Sequence, residues 1–235
     1  MNENNNPDST EKFYKQKLKN KPNDLESIFK LSILYLQTKR FNLAKLLLQN
    51  GIKIYPNHAG LYNNLGATFE KLSDLKNART CFEKAIKFNS NFGHAYYNLG
   101  KVYYSLNELS EAIVCFEKAI KILPNNTDAY NNLGATFKEL GNNKKAIECY
   151  KKAINIDPNY INAYNNLGTI LGELNHLEDS KKYFEKSLTI NKNNKKTYED
   201  YGNVLLKLNQ HSKALNYIKK GTGFIRFNQK EFIII

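Results

Sequence analysis

The sequence predicts an all-α solenoid of six 34-residue helix–turn–helix repeats, closed at its start by a capping helix. Three observations predict it. Residues 95–126 match residues 129–160 at an offset of 34. The same frame continues without insertion or deletion through 25–58, 59–92, 93–126, 127–160, 161–194 and 195–228. Within that frame, large and small residues fall into columns with helical spacing.

In each repeat the first helix is set by positions 4, 7, 8 and 11, which share one helical face. Position 4 holds Ile28, Tyr62, Tyr96, Tyr130, Tyr164 and Tyr198. Positions 7 and 8 hold Leu65-Gly66, Leu99-Gly100, Leu133-Gly134 and Leu167-Gly168, and position 11 holds Tyr35, Phe69, Tyr103, Phe137, Leu171 and Leu205. A turn follows at position 15, where Asn107, Gly141, Asn175 and Asn209 tolerate the left-handed conformation that ends a helix. The second helix carries Ala44, Ala78, Ala112, Ala146 and Ala214 at position 20. Leu48, Phe82, Phe116, Tyr150, Phe184 and Ile218 follow at position 24, then Ala85, Ala119 and Ala153 at position 27. Small residues at 8, 20 and 27 let helix axes approach while the large ones fill the space between layers. Pro56, Pro124 and Pro158 stop the helix at position 32. The fifth repeat departs from the pattern with Ser180 and Ser187 and the sixth with Tyr201 and Gly221, so local loosening is expected there.

Both ends continue the pattern only in part. Tyr14 and Pro22 fall at positions 24 and 32 of a preceding unit, which predicts a capping helix within 9–24 after a disordered, Asn-rich segment 1–8. The apolar, β-branched tail 229–235 reads as strand rather than helix.

These columns resemble the tetratricopeptide repeat family over residues 25–228. The resemblance implies a right-handed α-solenoid whose first helices line a concave groove for a protein or extended peptide, read chiefly by positions 2, 5, 6, 9, 12 and 13. Position 6 carries Asn64, Asn98, Asn132 and Asn166 in four consecutive repeats. An asparagine amide offers a donor and an acceptor together, so it can pair with both groups of a peptide unit. Asn63, Asn131 and Asn165 beside them read as background, while His94, Tyr97, Lys101 and Tyr104 would supply selectivity in the third repeat. The asparagine ladder resembles the superhelical arm of O-GlcNAc transferases. That likeness gives an alternative reading, a substrate-recognition arm of such a modifying enzyme whose catalytic domain is absent from this chain. The carboxylate clamp of chaperone adaptors needs lysine at position 5. Here that position holds Phe29, Asn63, Tyr97, Asn131, Asn165 and Glu199, so an acidic chaperone tail is not expected as a partner.

Composition and motif content bound the chemistry. Lys+Arg 35 against Asp+Glu 22 gives +13, yet only Arg40, Arg79 and Arg226 are arginines, and about 35 asparagines accompany the lysines. That joint excess reads as compositional background rather than a nucleic-acid site, which favours clustered arginine forks. Lys84, Lys118, Lys152, Lys186 and Lys220 form one column at position 26, diluted by Glu83, Glu117 and Glu185. Cys81, Cys115 and Cys149 all occupy position 23, one per repeat. Stacked helices about 10 Å apart keep them beyond disulfide or shared-zinc reach. No two of His58, His94, His176 and His211 share a column, and no catalytic spacing or phosphate-binding glycine loop occurs. The expectation is a non-catalytic scaffold without metal or cofactor. With no apolar run long enough to span a bilayer and no leader-like start, it is expected to work in a reducing cytoplasm.

Overall fold

The computed structural model describes residues 7–223 together with 227–228 and 233–234. Among the described residues there are thirteen helices: α1 Pro7–Asn20, α2 Leu25–Gln37, α3 Phe41–Ile54, α4 Ala59–Lys71, α5 Leu75–Phe88, α6 Gly93–Ser105, α7 Leu109–Ile122, α8 Thr127–Glu139, α9 Asn143–Ile156, α10 Ile161–Glu173, α11 Leu177–Ile190, α12 Lys195–Lys207 and α13 His211–Thr222. Two short strands, β1 Phe227–Asn228 and β2 Ile233–Ile234, pair antiparallel. The rest of the tail 229–235, and residues 1–6 of the amino-terminal segment, lie outside the described residues.

The chain forms two compact units, Met1–Pro124 and Asn125–Ile235. In each, the first helix of a repeat packs against its own second helix and against the first helix of the next repeat. Thus α2, α4 and α6 make one wall in the first unit, and α8, α10 and α12 make one in the second. The second helices lie behind these walls.

The spacing within a repeat is set by the glycine at position 8. A Cβ on Gly66 would lie 2.7 Å from the ring of Phe82, and one on Gly134 would lie 2.7 Å from the ring of Tyr150. Phe82 is fully buried and Tyr150 nearly so, and the position-20 alanines Ala44, Ala78, Ala112, Ala146 and Ala214 have no exposed surface. The large residue at 24 therefore presses directly on backbone, as its column and that of the glycine require.

Position 15 is left-handed in all six repeats. The φ values are 58° at Lys39, 61° at Ser73, 60° at Asn107, 73° at Gly141, 62° at Asn175 and 58° at Asn209. Asparagine and glycine tolerate this region, whereas Lys39 and Ser73 have no such adaptation. Lys39→Gly and Ser73→Gly should each raise unfolding stability by about 1 kcal/mol, measured as a rise in urea midpoint at constant m-value. No rise in either variant would show that these turns carry no strain.

Among the described residues, the side-chain N-caps are Asp24, His58, Asp74, Asn126, Asn142 and Asn194. Asn126 Oδ1 accepts from the Ala129 amide at 3.0 Å, and Asn194 Oδ1 accepts from that of Thr197 at 3.3 Å. Asp74 takes both the side-chain and the backbone N–H of Asn77, at 2.7 and 3.1 Å, which holds its carboxyl below the usual range.

The capping helix begins at Pro7, two residues before the expected start, and ends at Asn20, inside the expected span. Proline suits the first helical position because its missing N–H would be unpaired there, and Asp8 favours the positive end of the helix dipole. None of its residues is fully buried; Tyr14 and Leu18 pack on the cluster containing Ile28, Leu31 and Tyr35. Glu11 ties it down by pairing with Lys15 at 2.8 Å and with Arg40, while Tyr35 Oη donates to it at 3.3 Å.

Ser180 and Ser187, expected to loosen the fifth repeat, are fully buried and hydrogen-bonded. Ser180 Oγ donates to the Gly168 carbonyl at 2.6 Å. Ser187 Oγ donates to Asn165 Oδ1 at 2.6 Å, and Thr197 Oγ1 donates to the same oxygen at 2.9 Å. Polar bonds replace the apolar contacts that alanine makes elsewhere.

Candidate functional site

In the unit Met1–Pro124 the wall of first helices carries Asn64 on α4 and Asn98 on α6. They are not independent pegs. Asn98 Nδ2 donates to Asn63 Oδ1 of the preceding repeat at 3.1 Å, and Asn63 Nδ2 reaches Asn64 Oδ1 at 3.4 Å. The three amides thus form a relay along the wall. Asn64 is only 8% exposed, and its Nδ2 has no hydrogen-bond partner among the described residues. A donor buried in that state is costly, and with almost no accessible surface it lies out of a ligand's reach.

The third repeat places its four remaining candidates on α6. His94 is exposed, with its ring edge-on to Phe92 at 6.4 Å. Tyr97 is half-buried, its ring 6.1 Å from that of Phe116. Lys101 is engaged: its Nζ lies 2.7 Å from Glu70 Oε1 of the preceding repeat and 5.6 Å from the Tyr97 ring centre. It is therefore half of an ion pair rather than a bare cation. Tyr104 is partly exposed on the same helix, one turn beyond Lys101.

The unit Asn125–Ile235 repeats the arrangement. Asn166 Nδ2 on α10 donates to Asn131 Oδ1 on α8 at 2.9 Å, and Asn131 Nδ2 reaches Asn132 Oδ1 at 3.4 Å. Position 6 of the sixth repeat is Asp200 on α12. Burial raises its carboxyl above the usual range, although Lys196 and Lys138 oppose the shift.

Asn63 and Asn131, read from sequence as background, are the links of both relays. Their signal was the Asn-Asn pair at positions 5 and 6, recurring in the second, fourth and fifth repeats. The third pair diverges, since Asn165 turns to Ser187 and Thr197. Burial pushes the Cys81 thiol up to about 11 and that of Cys115 up to about 12, so both stay protonated and act as small apolar fillers.

With the geometry in place, the family models decide the lineage. A TPR repeat model matches residues 71–107, 100–141 and 135–175, and a tetratricopeptide repeat model matches 161–194, together more than half of the chain. The chain belongs to the tetratricopeptide repeat family. As such it is a protein-interaction scaffold of all-α repeat architecture. No curated protein matches this TPR chain significantly. Among solved structures, MamA is 27% identical over 69% of this chain and 95% of its own, with a TM-score of 0.64. PilF of Pseudomonas aeruginosa is 18% identical over 85% and 92%, with a TM-score of 0.77. YrrB, described as a TPR protein with an unusual peptide-binding site, is 23% identical over 75% and 91%, at 0.61. The last two show the fold alone. No helix among the described residues is long and apolar enough to cross a membrane.

Proposed function

We propose that this TPR protein holds an extended peptide, or an extended segment of a partner protein, against its first helices, with the position-6 asparagines pairing to the ligand backbone. One observation carries the reading: the relays orient these amides while leaving hydrogen-bonding capacity open. Asn98 and Asn166, both half-buried, each use one N–H on a neighbouring amide, which leaves their second N–H and their side-chain oxygen to a ligand. Within each unit, neighbouring first helices about 10 Å apart and an extended chain advancing about 3.3 Å per residue bring an asparagine to every third peptide unit. Backbone pairing of this kind gives affinity with loose sequence preference. His94, Tyr97 and Tyr104, with Lys101 held by Glu70, add selectivity in the third repeat. YrrB, similar in fold, is itself described as having a peptide-binding site.

The test replaces Asn98 and Asn132 by alanine together. Each amide–backbone contact contributes about 0.5–1.5 kcal/mol, so a peptide selected by display against the intact chain should bind about five- to a hundredfold more weakly. Calorimetric titration measures this, and circular dichroism checks that the helices persist. Unchanged affinity in a normally folded double variant would place the binding face elsewhere.

A further inference from the structure

The first repeat carries leucines where the others carry polar groups. Position 19 is Leu43 there, then Asn77, Glu111, Lys145, Asp179 and Lys213. Position 22 is Leu46 there and, Val114 apart, polar in every other repeat. The same helices form with polar residues at 19, so packing within the solenoid does not require these leucines. Leu43 is 43% exposed, Leu46 57% and Ile54 44%, and with the partly buried Leu47 they form a stripe along one flank of α3. Asn50 stands in this helix where position 26 is lysine in the five that follow.

That flank looks toward α1. Leu47 shares position 23 with Cys115, whose thiol is raised by burial and then by the charge of Glu83 on the preceding second helix. For α3 the preceding helix of that kind is α1. The two each pack on α2 and not on each other, so a trough lies between them. Arg40, the residue before α3, spans it at one end by pairing with Glu11. The α1 side is an open depression of about 390 Å³ whose lining includes Lys12, Lys15 and Lys19. Glu11 is taken by Lys15 and Arg40, and Asp8 is the other carboxylate of that lining. Lys12 and Lys19 have no ion pair among the described residues. Over residues 7–57 ten basic side chains stand against four acidic ones. A nucleic acid would satisfy the lysines and gain nothing from the leucines. A second copy, at +13, would bring its own lysines against these. A helix with apolar residues at i, i+3, i+4 and i+7 and carboxylates beside them satisfies both walls.

We infer that the α1–α3 trough docks an acidic amphipathic helix of a partner protein, its apolar face on Leu43, Leu46 and Leu47 and its carboxylates at Lys12 and Lys19. The trough is separate from the asparagines of the first helices, so it stands whether or not they hold a peptide. The probe is a stapled helical peptide of leucine and glutamate at that spacing, with a counterpart carrying lysine for every glutamate. Each is titrated into the ¹⁵N-labelled full chain. The acidic peptide should give saturable shifts at the Leu43, Leu46 and Lys19 amides, with affinity falling as salt rises. The lysine peptide should leave those amides unmoved. Leu43→Ser with Leu46→Ser should weaken the acidic peptide by about tenfold. Lys12→Gln with Lys19→Gln should weaken it by about fivefold, and circular dichroism checks that both double variants keep their helices. Unmoved amides with the acidic peptide, or equal binding of the lysine peptide, would overturn the inference. Shifts centred on Asn64 and Asn98 would overturn it too, by placing the peptide on the first helices. So would an RNA oligonucleotide, or self-association at high protein concentration, that moves the trough amides when the acidic peptide does not.

Discussion

Gly100→Val will cost the protein about 3 kcal/mol of unfolding free energy, in spite of valine's better intrinsic helix propensity. A Cβ on Gly100 would fall 2.8 Å from two ring carbons of Phe116, which is itself fully buried. The ring has little room to retreat, because the fully buried Ala112 and Ala119 lie a turn to either side on α7 and Tyr97 packs 6.1 Å away. The added atoms must therefore push α6 and α7 apart and open the contacts along both. Urea unfolding should show a lower midpoint, and Gly100→Val combined with Phe116→Leu should lose less than the sum of the two single changes. A Gly100→Val protein as stable as the parent would mean that the close approach is dispensable.

Asn165→Ala should be the most damaging loss of a single polar group, at about 2–4 kcal/mol. Its Oδ1 is the acceptor for two hydroxyls, Ser187 Oγ and Thr197 Oγ1, on residues without exposed surface. Removing it strands both donors in a dry interior, and the 3.4 Å contact between them can satisfy only one. Removing all three groups together, as Asn165→Ala, Ser187→Ala and Thr197→Val, should recover most of the loss, because no buried donor is then left unpaired. Position 27 would also regain the alanine that Ala85, Ala119 and Ala153 supply elsewhere. Thermal melts of the single and triple variants distinguish the outcomes: equal destabilisation of both would mean that packing volume, not hydrogen bonding, is what Asn165 contributes.

The fold was legible because its determinants are local and repeated. Gly66 and Phe82 sit sixteen residues apart in a frame that recurs, so a small column and a large column announce a contact without any knowledge of the rest. The turns were legible where Asn107, Gly141, Asn175 or Asn209 advertised them; Lys39 and Ser73 adopt the same backbone without the usual residue type, carried there by the packing of their neighbours. The candidate site was legible in its columns but not in its bonds. Asn64, Asn98, Asn132 and Asn166 stand out by position, whereas the donation from Asn98 to Asn63, or from Asn166 to Asn131, depends on how far adjacent helices are offset.

The relays bear on the entropy of recognition. A solvent-exposed side chain caught by a ligand surrenders its rotamer freedom at that moment, a loss of about 0.5–1.5 kcal/mol for each one immobilised. Asn98 and Asn166 have surrendered part of theirs on folding, because Asn63 and Asn131 already fix their orientation. A backbone that pairs with them meets rigid partners, so the favourable enthalpy of each contact is less diluted by ordering. In the proposed groove Asn63 and Asn131 would govern affinity by holding other residues still, and their removal would be felt as a heavier entropic penalty on binding.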